Sequence, residues 1–138
     1  MLRLHEAGIA YIRNLIMRYL SGNERTLWDF CFSRIMVRYV FANAPQVEVE
    51  FAADSAVNAA NALILVRRSG LNGGRDNFEQ RLWDDYAGEA MIKFSAEVRW
   101  KFEDYVVVAG QVAKQADTAV VKYRGVEDSD LPKFPFGN

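Results

Sequence analysis

The alternation that begins at Ile92 constrains this chain more than any other feature. Ile92, Phe94, Ala96, Val98, Trp100 and Phe102 stand at every second position, with Lys93, Ser95, Glu97, Arg99, Lys101 and Glu103 between them. Successive side chains of a β-strand point to opposite faces, so eleven residues of period two describe a half-buried strand. The segments that follow offer it partners. Glu103-Asp104 reads as a turn into a strand over 105–114, and Ala116-Asp117 as a turn into a strand over 118–126.

The first half of the chain reads differently. Leu4, Gly8, Ile12, Leu15 and Tyr19 recur at spacings of three and four and predict a helix over 3–20, stopped by Ser21-Gly22. Asn23 is placed to cap a short helix over 24–32. Within 34–41, Ile35, Val37, Tyr39 and Phe41 fall on one face of a β-branched and aromatic stretch. Asn43-Ala44-Pro45 turns it towards Val47-Glu48-Val49-Glu50-Phe51, so 34–51 predicts a hairpin. Asp54-Ser55 opens an alanine-rich helix to Arg68, Gly73-Gly74 marks a loop, and Asn77 caps a helix to about 89 that carries Phe78, Leu82, Trp83 and Tyr86. The expected fold is α+β, with N-terminal helices and an antiparallel sheet ending in a three-strand meander. Residues 1–126 are expected as one domain, followed by an extended C-terminal tail over 127–138.

Reactive side chains are scarce. One cysteine and one histidine exclude an intramolecular disulfide and a His-rich metal site. Cys31 lies between Phe30 and Phe32 and reads as a buried thiol, while His5 reads as solvated near a helix start. Asp84 and Asp85 diverge by about 100° on a helix and share no proton or metal, and Glu48 and Glu50 read as a solvated strand face. Gly73-Gly74-Arg75 lacks the Lys-Ser/Thr of a phosphate loop. No catalytic residue, metal ligand or cofactor is expected. Neither a signal-peptide pattern nor a run of about 18 apolar residues is present, so the expectation is a soluble chain, cytoplasmic or held within a particle, with no membrane partner.

The order of helix, short helix, hairpin, helix and late antiparallel strands resembles that of the NTF2-like α+β cone. The resemblance implies a pocket in which Phe94, Val98, Trp100 and Phe102 bind a small molecule, as in a ligand binder or an isomerase/dehydratase-like enzyme. That strand face carries no acid, base or metal ligand.

Charge and aromatic content point towards association. Residues 1–42 carry six arginines against three acids, and the rest carries eleven basic against fifteen acidic residues. Arg34 and Arg38, or Arg67-Arg68 with Arg75, combined with Tyr11, Tyr19, Trp28 or Tyr39, could serve RNA or single-stranded DNA. The net charge of −1 argues against such a partner. Eighteen aromatic residues exceed what a small core needs, which leaves some for a partner surface. Leu131, Phe134 and Phe136, interspersed with Pro132 and Pro135, form an apolar docking tail, and the acidic run Glu127, Asp128 and Asp130 before it directs it towards the arginine-rich N-terminal part, Arg34 and Arg38 included. The leading expectation is a non-catalytic protein that assembles with itself or with other subunits, such as a structural component of a viral or mobile-element particle.

Overall fold

Ser21 and Glu24 start the first helix that can be described. The Ser21 hydroxyl accepts from the Glu24 amide at 3.3 Å, and the Glu24 carboxylate accepts from the Ser21 amide at 2.9 Å. This reciprocal pair satisfies two amides that no helical carbonyl reaches. Asp76 and Glu79 repeat the device further on, at 2.8 and 2.9 Å. The computed structural model describes residues 19–70, 74–95 and 101–126. They form α1 (Gly22–Tyr39), α2 (Gln46–Ser69), α3 (Asn77–Ser95) and α4 (Phe102–Gly125). Lys101 has no side-chain acceptor to offer α4, so Asp104 closes its first turn by accepting from the Lys101 amide at 3.2 Å.

Each helix buries one stripe. Leu27, Trp28, Cys31 and Ile35 form that of α1, and Trp83, Ala87, Met91 and Ser95 that of α3. On α4, Phe102, Tyr105, Ala109, Val112, Ala116 and Val120 recur at spacings of three and four, as a bundle seam requires. The central helix is α2, buried almost all round from Ala59 to Ile64. By length and composition it is, among the described helices, the one apolar enough to cross a membrane, yet half of the relevant stretch is covered by the bundle. It also holds buried Asn61 and Arg67, so a core position accounts for its composition.

The helices form a ring in which α1 neighbours α2 and α3, and α4 neighbours the same two. Ion pairs between Glu24 and Arg68 and between Glu79 and Arg124 join the start of α1 to the end of α2 and the start of α3 to the end of α4. The chain therefore runs up, down, up and down, with the consecutive helices α2 and α3 standing diagonally across the ring. Where α1 meets α3, a Cβ on Gly88 would lie 3.1 Å from the Phe30 ring and 3.2 Å from Leu27 Cδ1, so a larger residue there requires these side chains to give way.

This all-helical bundle overturns the expected α+β fold, and with it the NTF2-like cone. Among the described residues there is no strand. The expected hairpin over 34–51 is instead the end of α1, a short turn and the start of α2. Its supposed common face is split, since Ile35 is fully buried and Val37 is 75% exposed. The alternating segment fares likewise where it can be described. Ile92 and Ser95 are buried three residues apart in the last turn of α3 while Phe94 faces out, and Phe102 opens α4. The expected strands over 105–114 and 118–126 are one continuous helix. The helices expected at 24–32, 54–68 and 77–89 are present, each longer than its sequence signals indicate. The helix expected over 3–20 lies, up to residue 18, outside the described residues, as do 96–100 and the tail over 127–138.

Candidate functional site

Two regions stand apart from the core packing. The first is the end of the bundle where α1 and α3 begin and α2 and α4 finish. There Arg67 donates through Nε and Nη2 to both oxygens of Asp84, at 2.8 and 3.0 Å. Gln80 links outward, donating to Asp84 at 2.9 Å and accepting from Arg75 Nε at 2.9 Å. Arg75 Nη1 and the Trp83 indole N–H both donate to Asp117 Oδ1, at 3.0 and 2.8 Å, and the Arg75 guanidinium lies 4.8 Å from the Trp83 ring centroid. Burial drives the Arg75 pKa down, only partly offset by Asp117 and Asp84, while Arg67 and Arg124 add repulsion. Arg124 grips Glu79 with two donors and Arg68 grips Glu24 at 2.6 and 3.0 Å. The Arg68 guanidinium holds the Glu24 carboxyl at about 2, well below its ordinary value near 4.5.

Arg67, Arg68 and Arg75 are thus each matched to a carboxylate of the same chain, which removes them as a basic patch. Trp28 is equally unavailable for base stacking. It is buried, stacked on Phe32 at 5.0 Å, and its indole N–H donates to Asn61 at 2.8 Å.

The second region is the α1–α2 hairpin at the opposite end. Val37, Phe41, Val47 and Phe51 are 75, 75, 71 and 49% exposed. Arg34 and Arg38 stand exposed one turn apart on α1, and Arg34 lies over the Phe30 ring at 5.4 Å. Glu48, Glu50 and Asp54 stand exposed on the first turns of α2. None of these five charges forms an ion pair among the described residues. Assigning 34–51 to a sheet hides this surface, because a strand register turns Val37, Phe41, Val47 and Phe51 inward. The usable signal was the Ser21-x-x-Glu24 box, which starts a helix in front of the stretch.

Of the residues expected to line a pocket, only two lie among the described residues. Phe94 is 40% exposed at the end of α3 and Phe102 is buried at the start of α4, while Val98 and Trp100 lie outside the described residues. Leu131, Phe134 and Phe136 of the expected docking tail also lie outside them. An open groove of about 540 Å³ lies between α1 and α3, where Leu27 and Phe30 meet Arg81, Asp84, Asp85 and Glu89. Asp84 turns towards Arg67 and Asp85 stays exposed, so the adjacent acids do diverge. Cys31 is completely buried, and burial pushes its thiol to about 12, which keeps it protonated and inert as a nucleophile at neutral pH. Among the described residues no three His, Cys, Asp or Glu side chains converge as a metal site. Comparisons with family models, curated proteins and solved structures found no match.

Proposed function

We propose that this chain is a non-catalytic assembly protein whose copies meet through the α1–α2 hairpin. The observation that carries the reading is the exposure of Val37, Phe41, Val47 and Phe51 on one helical hairpin. Exposed apolar residues concentrated in this way mark interaction surfaces rather than ordinary protein surface. The charges around them favour a second copy as the occupant. A two-fold interface needs a surface that complements itself. The hairpin supplies Arg34 and Arg38 on one helix and Glu48, Glu50 and Asp54 on the other. With two hairpins antiparallel, the basic end of α1 faces the acidic start of the partner's α2, and the apolar side chains close the centre.

Sedimentation equilibrium between about 1 and 100 µM tests this, with masses at multiples of 15.7 kDa expected. Burying one phenylalanine contributes about 1.5–3 kcal/mol, so Phe41→Glu is expected to weaken association by at least about tenfold. Arg38→Glu and Glu48→Arg should each weaken it, and combining them should restore part of the loss. A wild-type chain that stays monomeric throughout the range refutes the proposal.

A further inference from the structure

The hairpin that carries the exposed apolar side chains is itself thinly supported. From residue 36 to residue 51 no described side chain is buried. Ile35 is the last buried residue of α1 and Ala52 the first of α2, while Met36 packs against the core from its edge. The part of α2 before Ala52 therefore rises about 9 Å without a buried side chain. Pro45 stands at the N-cap of α2 and makes no side-chain cap bond, whereas Ser21 supplies one to α1 and Asp76 one to α3. The ion pairs that tie one element to another, Glu24 to Arg68, Arg67 to Asp84, Arg75 to Asp117 and Glu79 to Arg124, all belong to the opposite end of the bundle. Val37, Val40, Val47 and Val49 add little of their own, because β-branched side chains lose rotamer freedom in a helix.

Building on the hairpin-mediated assembly proposed above, we infer that the tip over 36–51 opens in the single chain and becomes fixed helix when a second copy covers it. Helices in proteins owe most of their stability to tertiary packing, and segments with few buried contacts open locally at low free energy. Opening this tip breaks the hydrogen bonds of a few helical turns and uncovers almost no core, so the rest of the bundle stays closed around Ile35, Ala56 and Ala59. A second copy supplies what the tip lacks. It covers Val37, Phe41, Val47 and Phe51, and it sets Arg34 and Arg38 against Glu48, Glu50 and Asp54. Part of the contact free energy then goes into ordering the tip, so chain concentration governs its order.

Hydrogen exchange of the full chain, labelled at about 1 and 100 µM and read by mass spectrometry, tests this, with sedimentation in the same buffer giving the mass in solution. At the lower concentration, fast exchange is expected in peptides covering 38–51 and strong protection in those covering 56–66 and 105–120. At the higher concentration, protection of 38–51 should rise at least about tenfold, and that of the other two much less. Phe41→Glu should hold 38–51 at its dilute value at both concentrations. Tip amides as protected as 56–66 in the dilute chain overturn the coupling and leave the assembly standing. Association that leaves 38–51 unprotected, or an equal rise in Phe41→Glu, overturns the coupling and removes the hairpin as the interface. A wild-type chain monomeric at both concentrations overturns the assembly and the coupling with it.

Discussion

Replacing Asp84 with alanine tests whether the ion-paired end of the bundle is held together as described. Arg67 is 6% exposed and directs two donors at Asp84, so truncation strands a buried guanidinium. Removing one member of a buried pair costs about 3–5 kcal/mol. The Asp84 side chain keeps 16% exposure and borders the α1–α3 groove, so water can reach part of the vacated space. That places the cost near the lower end, at about 3 kcal/mol. In a chain of 138 residues this corresponds to a fall in Tm of roughly 10 °C. Arg67→Met with Asp84→Ala removes the stranded charge together with its partner and should recover about 2 kcal/mol of the loss. Urea unfolding of wild type, both single variants and the double variant, followed by far-ultraviolet circular dichroism, measures the cycle, provided the denaturant slope stays constant. A cost below about 1 kcal/mol for Asp84→Ala, or a double variant as unstable as the sum of the singles, refutes the reasoning.

The Glu24 carboxyl sits at about 2 in the folded chain against an ordinary 4.5, so its contribution is complete above pH 4.5 and disappears as pH falls towards 2. Thermal melts should therefore show wild type losing stability across that window while Glu24→Gln, weaker at pH 7, loses less; parallel curves would sink the assignment. Glu79, also held low by Arg124, should add to the same acid limb. Cys31 should resist thiol reagents in the native chain and react once urea unfolds it, and rapid native labelling would show the burial to be wrong. Asn61→Ala leaves the Trp28 indole N–H without its acceptor beside a new cavity and should cost about 2–4 kcal/mol in the same unfolding assay.

Much of the chemistry was legible residue by residue. A cysteine flanked by phenylalanines is buried, as its neighbours indicate. The particular partners of Arg67 and Arg75 were not legible, because pairing across 17 and 42 residues leaves no local mark.

The sequence by itself determined that helices lie within 24–32, 54–68 and 77–89, although Ser21 and Asp76, not Asn23 and Asn77, cap α1 and α3. The alanines of 52–62 suit a helix surrounded on nearly every side. What it left open was the state of the stretches rich in valine, isoleucine and aromatics at 34–41, 47–51 and 105–126. There the preference of β-branched residues for a strand amounts to less than about 1 kcal/mol per position. Phe102, Tyr105, Val112 and Val120 also stand at helical spacing, and burying each contributes about 1.5–3 kcal/mol once a neighbouring helix covers it. Only the tertiary structure supplies that neighbour. Packing against α2 and α3 outweighs local preference, and a sequence compatible with both periods becomes helix because the bundle offers its helical face a partner.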